Sequence, residues 1–204
     1  KRGTIYDRNH QVIAQEVDAW TIVAYLDESV VDENGDPDYV KDAEKTAEKL
    51  CEVLEDAKES NVEKILEKAM DQGLTQTELG TGTKRLDEET MEKVKDLDLP
   101  GIDFIETTNR YYPTTPYSST MVGFAAYDED EQKIVGKMGL EQTMNDVLAG
   151  EDGHVQYQQT VDGSILPGTT TVYKEAVDGD NVVLTLDSSL QSVVEKAMEE
   201  TIEN

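Results

Sequence analysis

Two histidines and one cysteine are the residues from which this chain could build acid–base, metal or nucleophilic chemistry. His10 falls in a turn and His154 opens a β-prone run, and neither stands in a CxxC, HxxxH or HExxH context. Cys51 lies on the apolar stripe of an expected helix with no basic cluster beside it. It reads as a small buried hydrophobe, not a thiolate nucleophile. Asp32, Asn34, Asp36 and Asp38 place oxygens at alternate positions, as a Ca²⁺ loop requires. The glycine, however, comes fourth instead of sixth, and Ala43 stands twelfth where a glutamate would close the shell, so the segment reads as a solvated acidic turn. Gly80-Thr81-Gly82-Thr83-Lys84 lacks phosphate-loop spacing and reads as a flexible connector. With 45 acidic residues, carboxylate pairs for glycoside hydrolysis can be nominated anywhere and therefore carry no signal. The expectation is a chain with no catalytic residue, no metal and no cofactor.

Charge and hydropathy narrow the class further. A formal net charge of −27, from 45 acidic against 18 basic residues, repels nucleic-acid phosphates and anionic lipid. That excludes a nucleic-acid module. No apolar run approaches the roughly 18–20 residues needed to span a bilayer, and no signal peptide is visible. The chain opens on Lys1-Arg2-Gly3 without an initiator methionine and reads as a processed product. A lone cysteine allows no internal disulfide and does not identify the compartment.

The elements that would position any site alternate in period. Thr4-Ile5-Tyr6, Val12-Ile13-Ala14 and residues 19–26 read as extended. Residues 39–98 switch to helical spacing. Val40, Ala43, Ala47, Leu50, Cys51 and Leu54 form one stripe, and Val62, Ile65, Leu66, Ala69 and Met70 form the next. Ser60 with Glu63 suggests a capping box, Gly73 a helix end, and Met91 with Val94 a short third helix. Residues 102–112 return to strand before Pro113. Residues 139–149 read as one amphipathic helix with Leu140, Met144, Val147 and Leu148 inward. Residues 154–161 alternate like a half-buried strand ending in an Asp162-Gly163 turn. Residues 172–177 and 182–186 flank Asp178-Gly179-Asp180-Asn181 as a second hairpin. A final helix, capped by Asp187 or Ser188, presents Leu190, Val193, Val194, Ala197, Met198 and Ile202 on one face. The expected fold is α+β. A β-rich base spans 1–38 and 99–187, an inserted helical head spans 39–98, and 188–204 opens a further domain.

Four segments, in order, resemble the N-terminal non-catalytic region of class B penicillin-binding proteins. They are Arg2-Gly3-Thr4-Ile5-Tyr6-Asp7-Arg8-Asn9; Arg110-Tyr111-Tyr112-Pro113 followed by Met121-Val122-Gly123-Phe124; Gly136-Lys137-Met138-Gly139-Leu140-Glu141 leading through Asn145 and Leu148 to Gly150-Glu151-Asp152-Gly153; and Val183-Leu184-Thr185-Leu186-Asp187 with Leu190-Gln191. The likeness runs from Arg2 to about Glu200; in the 39–98 block it is one of position only. His10 departs from the glycine that usually follows DRN, and Met144 stands where an aromatic is common. The family's catalytic motifs are missing: no serine is followed by lysine three positions on, and KTG is absent.

The resemblance implies a pedestal that lifts a downstream D,D-transpeptidase domain away from the membrane and meets the cell-wall synthesis machinery, a SEDS-family glycan polymerase included. It implies an extracytoplasmic setting, reached through an N-terminal transmembrane anchor before Lys1. Homodimerisation, and a role in division or elongation, stay open. A stand-alone wall-sensing ectodomain without a transpeptidase domain is the alternative. The motif residues Arg2, Gly3, Asp7, Arg8, Arg110, Tyr112, Pro113, Gly123, Gly139, Glu141, Gly150 and Gly153 are then structural. Glu141 is expected to pair with at least one of Arg2, Arg8 and Arg110, tying distant segments together.

Overall fold

The long strand β2, Val12–Tyr25, organises the chain, because its two halves serve different neighbours. The computed structural model describes residues 1–32, 34–113, 119–156, 158, 166, 168–169 and 171–202. It is an α+β protein that divides into two compact units. One comprises Lys1–Val17 with Asn109–Asn204, the other Asp18–Thr108.

In the first unit, β1 (Ile5–Tyr6) pairs antiparallel with the start of β2, Ile5 opposite Ala14. Its other edge pairs in parallel with the late strand β9, Val182–Val183. The strand β4 (Ile102–Tyr111), which also pairs with β2, brings Asn109 to Tyr111 into this unit. After the short helix α4 (Ser119–Val122), strands β5 (Phe124–Asp128) and β6 (Lys133–Met138) form a hairpin. Two helical turns follow, α5 (Gly139–Thr143) and α6 (Asn145–Leu148). A small hairpin of β7 (His154–Gln156) and β8 (Thr171–Lys174) precedes β9, and α7 (Ser188–Ile202) ends the described chain. The apolar core is small: Ile5, Ile13, Ala14, Val122 and Leu148.

The second unit is helical. Helices α1 (Ala43–Cys51) and α2 (Glu59–Asp71) bury Ala47, Leu50, Val62 and Leu66 against Ile22 and Ala24 of β2. Strand β3, Gln76–Glu78, extends the end of β2 with Val23 opposite Glu78. Helix α3, Glu88–Lys95, adds Val94 to the same cluster. Capping follows local rules: Asp42 accepts from Lys45 N–H, and Asp87 from Thr90 N–H at 2.8 Å. Helix α2 closes with Gly73 at φ +64° in a Schellman pair, Gly73 N–H to Met70 C=O and Leu74 N–H to Ala69 C=O.

Several expectations change. The helical unit begins at residue 18 and ends at 108, not at 39 and 98, because Ile22 and Ala24 belong to the same apolar cluster as Leu50 and Leu66. Ser60 is not a cap: α2 starts at Glu59 after Lys58, which makes no side-chain cap, so Ser60 already lies inside the helix. Residues 79–83 are no flexible connector. Leu79 and Thr83 are fully buried, and Thr83 C=O accepts from Ile22 N–H. Residues 139–149 break at Met144 into two short turns, leaving Val147 exposed and turning Glu141 inward instead. The 182–186 run does not form a hairpin with 172–177, since β9 takes β1 and β8 takes β7. Residues 154–156 are exposed on both faces, not half-buried. The expected Asp162-Gly163 turn lies outside the described residues.

Candidate functional site

In the first unit, Glu141 is fully buried, and both its oxygens are taken. It occupies the first turn of α5, where the positive end of a helix favours a carboxylate. One oxygen, Oε2, accepts from Arg2 Nε at 2.8 Å, and Arg2 Nη2 lies 2.8 Å from the same oxygen as an ion-pair contact. The other, Oε1, accepts from Arg110 Nε at 2.8 Å and from the Tyr112 hydroxyl at 3.2 Å. Arg2 Nη2 also reaches the Glu141 backbone C=O at 2.9 Å, and Arg2 Nη1 reaches Asn145 Oδ1 at 2.8 Å. The side chains are 2% (Arg2), 1% (Arg110) and 0% (Glu141) exposed, so these charges face each other without water to screen them.

Each arginine arrives from a different part of the sequence. Arg2 precedes β1, and its backbone N–H is held by Glu16 Oε2 of β2. Arg110 stands near the end of β4, and two residues on the Tyr112 hydroxyl accepts from Ala125 N–H of β5 at 2.7 Å. Burial, together with the Glu141 charge, pushes the Tyr112 hydroxyl up to about 12, against the pull of Ala125 N–H. It therefore remains a donor to the carboxylate. Two guanidinium charges face one carboxylate, and among the described residues neither Nη1 nor Nη2 of Arg110 has a hydrogen-bond partner.

Asn145 and Gly136 complete the joint. Asn145 Oδ1 accepts from Gly136 N–H as well as from Arg2, and a Cβ on Gly136 would overlap the Glu141 C=O. Both residues lie in the motif segment but outside the expected set of site residues. The signal was available, since Glu141 and Asn145 are four apart and four residues bring side chains to one helical face. Gly3 and Gly123 make room for backbone: a Cβ on Gly3 would overlap the Asp180 C=O, and one on Gly123 the Met138 C=O. Gly139 lies against Gly123, Gly150 against Val177 C=O, and Gly153 against Ala176 N–H.

Asp7 builds a second node. Burial raises its carboxyl, but backbone N–H groups of Gln11, Ser188 and Asn9 together draw it below the ordinary carboxylate range. It thus fixes the turn at His10, held at φ +60°, to the start of α7. Arg8 is exposed and takes no part in the Glu141 joint; its backbone N–H donates to Leu186 C=O. Pro113 is exposed beside Tyr112. Cys51 is partly buried, and burial followed by the Glu59 charge raises its thiol, which disfavours the thiolate. Among the described residues no three His, Cys, Asp or Glu side chains converge to hold a metal, and no helix is long and apolar enough to cross a membrane. Both Glu141 oxygens and the Tyr112 hydroxyl are already engaged in the joint. Its chemistry is that of a lock between segments.

The family model for the penicillin-binding protein dimerisation domain matches residues 1–184. Stage V sporulation protein D of Bacillus subtilis is 31% identical over 116 residues, 57% of this chain and 17% of that protein. Peptidoglycan D,D-transpeptidase FtsI of Buchnera aphidicola is 28% identical over 111 residues, 54% of this chain and 18% of that protein. The chain thus spans under one fifth of either relative. Among solved structures, penicillin-binding protein 2X from Streptococcus thermophilus superposes with a TM-score of 0.61 at 33% identity, covering 100% of this chain and 31% of that one. The penicillin-binding protein PBP2 of Helicobacter pylori, solved in complex with MreC, superposes with a TM-score of 0.64 at 21% identity over 98% of this chain and 37% of that one.

Proposed function

Because the chain belongs to the penicillin-binding protein dimerisation domain family, we propose that it is the non-catalytic pedestal of a membrane-anchored class B penicillin-binding protein in peptidoglycan synthesis. The observation that carries this reading is the Glu141 joint. The motif segments converge on a buried lock of two arginines, a tyrosine and a carboxylate, and not on a nucleophile with a base. Such a lock holds a support rigid. Catalysis in the parent protein belongs to a D,D-transpeptidase domain, and Arg2, Asp7, Arg110, Tyr112 and Glu141 act as structural residues. The glycines at 3, 123, 139, 150 and 153 serve the same end by admitting backbone at close range.

The pedestal's partners are other proteins of the wall-synthesis machinery, a SEDS-family polymerase or an MreC-like scaffold among them, reached at the extracytoplasmic face. A single transmembrane helix shortly before Lys1 anchors the parent. An upstream coding sequence with no apolar stretch of about 17–25 residues and no export signal contradicts that placement.

Fluorescent penicillin tests the central claim. Added to this chain, it leaves no heat-stable labelled band, because the SxxK serine and the KTG strand are missing from the sequence. A stoichiometric covalent band from this chain overturns the non-catalytic assignment.

A further inference from the structure

Asn34 and Gly35 stand outside the Glu141 joint and both apolar cores, and side by side they form a reactive pair. Only here does an asparagine of the chain precede glycine. Asn9 precedes histidine, Asn61 and Asn181 precede valine, Asn109 precedes arginine and Asn145 precedes aspartate. A side chain on the residue after asparagine obstructs the approach of its backbone nitrogen to the amide carbon, and glycine has none. At Gly35 φ is +87°, and an added Cβ would meet nothing within 4 Å. The pair sits at the exposed tip of a small hairpin in the second unit. Gly35 N–H donates to Asp32 C=O at 3.0 Å, Asp32 N–H donates to Asp36 C=O at 2.8 Å, and Val31 bridges Pro37. At the base of the hairpin, Asp38 Oδ1 accepts from Gly101 N–H at 2.6 Å.

Asp32 restrains both reacting groups. Its C=O takes the N–H of Gly35, the nitrogen that would attack. Its carboxylate takes Asn34 N–H at 2.9 Å, Asn34 Nδ2, the nitrogen that would leave, at 3.3 Å, and Asp36 N–H at 2.8 Å. The Asp36 bond foremost, with those from Asn34, holds the Asp32 carboxyl below its ordinary range against the opposing effect of burial, so it stays an ionised acceptor at neutral pH. An exposed turn of this kind opens locally at small cost, and each opening frees both nitrogens at once.

We propose that Asn34 is a site of spontaneous deamidation and isoaspartate formation, and that Asp32 sets its rate. When the tip opens, Gly35 N gives its proton to solvent base and attacks Asn34 Cγ. The new N–Cγ bond forms as the Cγ–Nδ2 bond breaks, and Nδ2 takes a proton from water and leaves as ammonia. Water then opens the cyclic succinimide at either of its carbonyls, leaving aspartate or isoaspartate. The net change is water consumed and ammonia released, with no oxidant, metal or second protein. Either product adds a negative charge beside Asp32 and Asp36. Isoaspartate also inserts a methylene into the main chain between positions 34 and 35, so the Asp32–Asp36 pairing loses its register. The Asp38–Gly101 bond lies below the altered tip and limits the change to it.

The test incubates this chain in mildly alkaline buffer at physiological temperature and follows tryptic digests over days to weeks. Trypsin releases Asn9–Lys41 as one peptide, because no lysine or arginine lies between Arg8 and Lys41. Asn9 is therefore an internal control for Asn34. Mass spectrometry is expected to show –OH replacing –NH₂ at Asn34 and not at Asn9, and protein isoaspartyl methyltransferase should then methylate the same peptide. Asn34→Gln, which would need a larger ring, should lose both signals. Asp32→Ala, with the melting curve of the chain retained, should convert about fivefold faster, the factor that one net hydrogen bond is worth. An intact Asn34 after an unfolded peptide of residues 31–38 has fully converted overturns the proposal, as does equal conversion of Asn9. Conversion without methylation overturns the cyclic step, and an unchanged rate in Asp32→Ala overturns the control by Asp32.

Discussion

The two units solve the same problem with different materials. Among the described residues, every buried charged side chain belongs to the first unit: Arg2, Asp7, Arg110 and Glu141. The buried polar residues of the second are threonines, Thr21, Thr46 and Thr83. The apolar cores run the other way, with Ile22, Leu50, Leu54, Val62, Leu66 and Leu79 in the helical cluster against a smaller one around Ile5 and Leu148. Burial of apolar surface is undirected and tolerates variation, whereas a bidentate guanidinium–carboxylate contact fixes distance and angle. The fold of the helical unit therefore rests on undirected apolar burial. In the first unit a specific set of charges defines which segments meet, and all four recognisable motif segments fall there.

The comparison breaks most sharply at Glu141. Glu141→Ala leaves two buried guanidiniums without their shared acceptor and should cost about 3–5 kcal/mol by urea unfolding, while Glu129→Ala, exposed in the β5–β6 turn, should stay within about 0.5. Equal midpoints for the two variants would remove the lock from the account. Replacing Arg2, Arg110 and Glu141 together by methionine should recover much of the loss, since a buried ion cluster is worth less than the damage of breaking it. In the helical unit the corresponding lesion is a cavity. Leu66→Ala should cost about 2–5 kcal/mol, and hydrogen exchange should report the loss in α1 and α2. A smaller loss, about 1 kcal/mol, is expected for Asp87→Ala, which removes the cap of α3; Asp87→Ser should restore most of it.

The smallest effect is one of pH. Asp7 titrates below its ordinary value of 3.8 in the folded chain, so its stabilising contribution is complete above that value and disappears as pH falls through the lower folded one. Asp7→Asn should flatten the acid limb of the unfolding midpoint against pH below 3.8. An unchanged acid limb would assign the acid sensitivity to other carboxylates.

Local pattern made the helical unit readable, and distance hid much of the other. Val62, Leu66 and Ala69 recur at helical spacing and are the residues α2 buries. Gly73 announces the end of that helix in its own type. By contrast, β9 pairs in parallel with β1, some 177 residues away by the Ile5–Val182 register, and nothing in residues 182–186 points to that partner. Their flanking Asp-Gly-Asp-Asn turn suggested the nearer strand instead. The β5–β6 hairpin was missed because Ala125, Ala126 and Gly136 are weak strand formers held by pairing. Glu141 stood out only by belonging to an ordered set of motifs. The sequence narrowed its partners to three arginines, but exposure of Arg8, and the sharing of one carboxylate by the other two, depend on chain paths that no short window records.

The separation of the lock's parts sets an order of assembly. Arg2 and Glu141 are 139 residues apart, with the whole helical unit between them. At about 5–20 residues per second, the interval between synthesis of the two is roughly 7–28 s. Residues 18–108 can complete their helices in that time, while Arg2 waits for its carboxylate. Nascent chains stopped just short of Glu141 should therefore show a protease-resistant helical unit beside an N-terminal segment that is still cleaved. Protection of residues 1–17 should appear only once chains extend beyond Leu148.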